Sequence, residues 1–287
     1  FTQEAVGLSA AVMTINTQIM DHNIRVFAKN MNIDTERISL LKMKNEYFFG
    51  QFVTANISKH YYASVDIQEG NVYAKPKLEI KGVNLIASSG NQDIVKSAHE
   101  DMRRFLECAK NDEKISAKEI LTKVANIERK ILEAIDLGDI SMFRYDKIKL
   151  AESYKDPDKS KSPYFHHMLW KEVFLDTYGD PGEPTYMTLK IPVSLGSKKK
   201  LADYIATIDN KEIADKLKKC LEKYKKNALG TFRVPLTITG KIGIPPEILG
   251  AVDKYRVVLD NVSIYYILLE TLGIFRSPKM LFSEMGH

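Results

Sequence analysis

An α+β fold is the class this sequence predicts: a partial antiparallel sheet with a supporting helix, then a mostly helical region containing a small β element. Three observations predict it. Residues 59 to 82 read as two alternating runs about a Gly-containing turn, the pattern of a β-hairpin. Long stretches on either side carry apolar residues at helical spacing. Two later strand-like runs, Tyr186 to Val193 and Thr231 to Thr239, lie within the mostly helical stretch and supply its small β element.

The elements follow in order. Residues 2 to 31 read as a helix through Val6, Ala10, Met13, Thr17, Met20, Ile24 and Phe27. Ile38 to Ile57 read as strands, broken at Gly50. In the hairpin, Val72, Ala74, Pro76, Leu78 and Ile80 make one face, expected to pack on a core. Tyr73, Lys75, Lys77, Glu79 and Lys81 make the other, expected to be solvated. Gly82 to Asn91 is a connector. A helix is expected over 92–109, and the Ser116 to Glu119 capping box opens another that stops at Gly138. Residues 153–163 form a polar loop, Phe165 to Leu175 a helix, and Tyr178 to Pro184 a turn cluster. Tyr186 to Val193 and Thr231 to Thr239 are strands able to pair, with two helical stretches between them. Pro245-Pro246 fits a helix start, and one or two closing helices follow between Ile248 and Ile274.

The chain has 287 residues, 44% hydrophobic and 28% charged, a globular balance with room for one large or two modest domains. The net charge of +5 permits nucleic-acid contact without specifying it. Two cysteines, Cys108 and Cys220, lie in helix-like contexts and read as core thiols of a reducing compartment. No apolar run approaches a membrane span, and no signal peptide opens the chain. A cytoplasmic location and no membrane partner are expected. His166 and His167 are adjacent and lack metal-ligand spacing, Asp66 reads as structural, and neither a Gly-rich phosphate loop nor a nucleophile signature is present.

The residue order of the hairpin resembles family B DNA polymerases, most closely those of T-even-type phages. Ser58-Lys59-His60-Tyr61 stands where that family has a K-K-R-Y box, and Tyr73-Ala74-Lys75-Pro76-Lys77-Leu78-Glu79-Ile80-Lys81-Gly82 where it has Y-A-E-P-K-L-K-I-M-G. The likeness continues through Ser88-Ser89 and the helix bearing Arg103-Arg104, and returns at Ser162-Pro163-Tyr164-Phe165-His166. The strand from Met43 to Phe49 precedes the box as in the family. The D-T-D, S-L-Y-P and K-x-x-x-N-S-x-Y-G motifs and the exonuclease carboxylates are missing.

The resemblance implies the C-terminal part of a polymerase: residues 1–85 from the palm, and 86–287 as the thumb with its tail. The implied function is the grip on primer–template DNA during replication. The catalytic aspartates and their magnesium would lie outside this chain, on an upstream polypeptide carrying palm, fingers and exonuclease. Phe1 is not an initiator residue, so a trimmed or split product is expected, in an infected bacterial host if phage-encoded.

Lys59 is then expected to reach minor-groove acceptors, whose near-uniform pattern suits a flexible ammonium. Tyr61 would meet the primer backbone. His60 and Ser58 replace charged residues of the box, a loss that Lys75, Lys77 or Lys81 would partly offset. Arg103 and Arg104 point to phosphate contact, although adjacent helical residues diverge. Lysines 216, 218, 219, 223, 225 and 226 form a basic helical cluster, either a solvated face or a duplex contact. Leu281, Phe282 and Met285 resemble a sliding-clamp-binding tail, or else pack on their own domain. Two function classes follow: a polymerase part needing a partner chain, or a non-enzymatic double-stranded-DNA-binding protein built from a thumb.

Overall fold

In the computed structural model, the described residues are 3–38, 46–55, 59–82, 90–155 and 163–274. They form an α+β protein with two separate three-stranded antiparallel sheets. The chain divides into two units: residues 1–81 with 102–114, and residues 82–101 with 115–287.

The first unit begins with α1 (Gln3–Asn30), ~42 Å long at 1.5 Å per residue. Its apolar residues point to both sides. Ala28 is buried and Met13, Met20 and Ile24 are half-buried, while Leu8, Val12, Ile15, Ile19 and Val26 are exposed. Phe27, placed on the inner face by spacing, is also exposed, because the covered stripe runs through Ala28. A helical turn, α2 (Thr35–Ile38), follows.

The sheet is β1 (Tyr47–Thr54), β2 (Tyr61–Gln68) and β3 (Asn71–Lys81), in that spatial order. Gln68 pairs with Asn71 across Glu69-Gly70, whose φ values of +50° and +85° make a two-residue turn of the primed type that suits strand twist. The central β2 is buried on both faces: Tyr62, Ala63, Val65 and Ile67 are all at most 6% exposed.

β3 departs from the expected alternation. Its register with β2 runs cleanly from Lys81↔Tyr61 to Lys77↔Val65, then jumps to Val72↔Ile67. Tyr73 to Pro76 therefore have no register partner in the β2 ladder. Pro76 lacks the N–H a ladder needs, which accounts for an irregularity there. The expected core face is accordingly half realised: Leu78 and Ile80 are half-buried, whereas Val72, Ala74 and Pro76 are exposed. On the core side Tyr62 meets Phe105 edge to face at 6.1 Å. Phe105 lies on α3 (Gln92–Lys110), whose Met102 and Leu106 are buried.

The second unit takes the Gln92–Asp101 part of α3 and continues with α4 (Ala117–Asp136), capped where Ser116 accepts a hydrogen bond from the Glu119 amide. Gly138, at φ +70°, ends that run in the left-handed region. β4 (Arg144–Lys147) then forms, a four-residue strand whose R-Y-D-K sequence gives no strand signal. α5 (Pro163–Leu169) passes through a wider π turn, Trp170–Phe174, into α6 (Leu175–Tyr178), with Trp170 and Phe174 buried.

The remaining elements are β5 (Met187–Leu195), α7 (Lys198–Thr207), α8 (Lys211–Lys223), β6 (Leu229–Pro235), α9 (Leu236–Ile242), α10 (Pro246–Leu249) and α11 (Lys254–Thr271). The predicted pairing of the two later strands is present, with Ile191 opposite Phe232. The second of them ends earlier than expected: Pro235 caps α9, and Thr239 donates to the Pro235 carbonyl at 2.9 Å as a helical residue. β5 lies between β4 and β6 and supplies core residues Leu189, Ile191, Val193 and Leu195. Tyr265 of α11 is fully buried; its hydroxyl donates to the Asp101 carboxylate and lies at hydrogen-bonding distance from the Ser97 hydroxyl of α3. Cys108 and Cys220 are both free. Burial pushes the Cys220 thiol up to about 12.

Candidate nucleic-acid interface

Partners in an antiparallel ladder point to the same side, so the register fixes what each face of the first sheet carries. One face holds Tyr62, Ser64, Leu78 and Ile80 and turns toward Phe105. The other holds Tyr61, Ala63 and Val65, opposite Lys81, Glu79 and Lys77 respectively. Phe49 and Phe52 of β1 lie opposite Val65 and Ala63 on this same side, although they are three residues apart.

Gly50 explains that placement. It sits between Phe49 and Gln51, where the register shifts by one residue. A Cβ there would fall 2.1 Å from the Asp66 carboxylate oxygen, so any larger residue must displace that buried carboxylate. The bulge brings Tyr47, Phe49, Phe52 and Tyr61 into one aromatic strip, with centroid separations of 5.5, 5.2 and 4.8 Å along it. Phe52 is 48% exposed, so the strip is open to solvent. Tyr61 anchors its end, its hydroxyl pKa raised by burial and then by the neighbouring Glu79 carboxylate. The companions of Tyr61 were not among the expected site residues. The signal was there in Y-F-F-G-Q-F, but only the bulge sets its faces.

The charged candidates divide into groups. Lys59 is exposed and lies outside the strand in the loop before β2, at φ +64°. That conformation is uncommon for a residue with a side chain. His60 is half-buried, and its carbonyl accepts from the Ala55 amide to close the loop. Lys81 stands opposite Tyr61 and pairs with Glu79 at 3.2 Å. Lys59, His60, Tyr61 and Lys81 thus occupy one end of the sheet. Lys77 is about 13 Å further along β3 at ~3.3 Å per residue. There its ammonium lies 3.9 Å above the Tyr73 ring, and the Tyr73 hydroxyl donates to Gln68. Lys75 falls in the unpaired Tyr73–Pro76 stretch, so alternation does not assign it a face. Arg103 and Arg104 are exposed on α3, the helix that packs on the opposite, Tyr62, side. They do not join the Tyr61 face.

Asp66 is 4% exposed and stacks over Gly50; burial raises its pKa, an effect Lys110 opposes. The lysines between 216 and 226 do not make a uniform solvated face. Lys216 pairs with Asp176 and Glu212, and Lys223 pairs with Glu172, each at 2.7 Å. Lys226 is buried over the Phe165 ring at 3.7 Å. Among the described residues no group of three His, Cys, Asp or Glu side chains is placed to hold a metal ion. No helix among them is long and apolar enough to cross a membrane. Ser58, Met43, Ser88-Ser89 and the tail residues Leu281, Phe282 and Met285 lie outside the described residues.

A bulged aromatic strip bordered by lysines, on a sheet backed by a helix, is a surface suited to a polyanion with stackable or apolar parts. The model of one family, described as divergent Family B DNA polymerase, matches residues 1–280. The chain belongs to that family. No curated protein matches it.

Proposed function

We propose that this chain grips the primer–template duplex in a family B DNA polymerase, with residues 1–85 as palm and 86–287 as thumb. The observation that carries the reading is the open Tyr61–Lys81 end of the first sheet, beside Lys59 in the S-K-H-Y box. In this reading Lys59 enters the minor groove, where acceptors are nearly sequence-independent. Tyr61 and the aromatic strip lie along the primer backbone, and Lys77 and Lys81 meet phosphates. The finer likeness, to T-even-type phage enzymes, rests on the box and the Y-A-K-P-K-L-E-I-K-G segment. The Leu281, Phe282 and Met285 tail would dock on a sliding clamp.

Nucleotidyl transfer needs the missing aspartate motifs, so catalysis belongs to an upstream polypeptide holding them with their magnesium. The exposed stripe Leu8, Val12, Ile15, Ile19 and Val26 supports such a partner, since a contiguous apolar face left open to solvent marks a contact surface. The test is primer extension with this chain alone, with a candidate upstream polypeptide alone, and with both. Extension only in the mixture is expected. A folded complex that never extends a primer, while this chain binds duplex alone, establishes the non-enzymatic DNA-binding alternative instead.

A further inference from the structure

Between α7 and α8, in the second unit, runs an open trough of about 780 Å³ that the polymerase reading does not use. Its floor is apolar: Leu201, Ile205, Ala206, Ala214 and Leu221 line it. The alanines keep it wide, and its volume lies in the range of small-ligand clefts. Five lysines border it, Lys198, Lys211, Lys218, Lys225 and Lys226, against two acids, Asp215 and Glu222. None of these lysines forms an ion pair among the described residues.

Lys226 is the telling one. It is 7% exposed, and its ammonium has no hydrogen-bond partner among the described residues. The chain holds it there by helix-end geometry. Lys225 adopts φ +53°, and the Lys226 amide donates back to the Leu221 carbonyl at 2.7 Å, closing α8. A buried ammonium that has an aromatic face, the Phe165 ring at 3.7 Å, but no hydrogen-bond acceptor is costly unless an anion comes to it. Its pKa is lowered to about 8 by burial, consistent with that missing acceptor.

The geometry points to a binding site for a small anion with an apolar body: a carboxylate or phosphate monoester on a hydrocarbon frame. The frame covers Leu201, Ile205 and Ala206, and the anionic head lies among the lysines. A nucleic-acid backbone fits less well, because it leaves the apolar floor uncovered and meets Asp215 and Glu222 as a polyanion. The inference is independent of the polymerase reading.

The experiment is calorimetric titration of the whole chain with octanoate and with octyl phosphate, using octanol and acetate as controls. Either octyl anion should bind at least tenfold tighter than both controls. Ala206→Trp, which fills the trough from an exposed position, should abolish binding, and Ala206→Ser should preserve it. Lys218→Glu should weaken it about tenfold, a readout that remains if the tryptophan variant fails to fold. Octanol binding as tightly as octanoate overturns the site, as does unchanged binding in Lys218→Glu. Displacement of the probe by a DNA duplex, with Ala206→Ser and Lys218→Glu altering duplex and probe affinity in parallel, makes the trough a nucleic-acid face and also overturns it.

Discussion

At the scale of single residues, the role proposed for Lys59 comes with a backbone cost. Its φ of +64° is one that glycine adopts freely. Lys59→Gly should therefore leave the fold as stable or more stable, by about 0.5 kcal/mol, while lowering primer extension and mispair discrimination in the reconstituted enzyme. Lys59→Ala should lose the same activity without the stability gain. Unchanged extension in both variants removes Lys59 from the site. Gly50 makes the opposite prediction. Gly50→Ala drives a methyl into the Asp66 carboxylate, and should cost about 1–3 kcal/mol in urea unfolding. Gly7→Ala, in open space on α1, should instead stabilise by roughly 0.5–1 kcal/mol.

His166 supplies a pH signature. It is 5% exposed, with its Nδ1 unpartnered among the described residues, and burial, Arg233 and Lys226 lower its pKa to about 3 from 6.5. The unfolded chain binds the proton more readily than the folded one, so acid favours unfolding. The loss begins near pH 6.5 and grows as pH falls toward 3. A stability comparison of the native chain with His166→Leu should be nearly flat above pH 7, and should shift toward the variant between pH 6 and about 4. An unchanged difference across that window contradicts the burial assigned to the imidazole.

At the scale of elements, α1 is amphipathic in a weak sense only, because apolar residues occupy both its sides. Ile15→Glu with Ile19→Glu should leave the isolated chain folded, since both positions are exposed. It should weaken complex formation with the upstream polypeptide proposed above. If the double variant binds that polypeptide as well as the native chain, the outer face of α1 is not the contact. Elements of this kind differ in how far they can be read from residues alone. The Ser116 to Glu119 cap is legible because its hydrogen bond is local. The Glu69-Gly70 turn is legible because two residues with φ above zero leave few choices. β4 is not, since R-Y-D-K forms a strand only because β5 offers it a ladder. The shared face of Phe49 and Phe52 is not legible either: period-two counting separates them, and only the clash between a Gly50 Cβ and Asp66 shows why the register must slip. The box residues are readable as a group at one end of the sheet, but where Lys75 falls follows from the irregularity at Tyr73–Pro76.

At the scale of the whole molecule, binding to duplex should follow phosphate arithmetic. If Lys59, Lys77 and Lys81 each neutralise one phosphate, the slope of log affinity against log salt is about −2.7, and affinity falls about 40-fold from 50 to 200 mM. Lys81→Gln should reduce that slope by about one unit for any sequence of duplex. A salt-independent affinity would mean the aromatic strip, not the lysines, dominates contact.

The first sheet also has two unlike borders. β3 presents Pro76, an unpaired stretch, three lysines and a glutamate, features that discourage another strand from pairing with it. β1 reads Y-F-F-G-Q-F-V-T, with no charge and no proline. The sheet is thus closed to extension on one side and receptive on the other. If the proposed partner polypeptide continues this sheet, its strand would join along Tyr47–Thr54, the border without charge or proline.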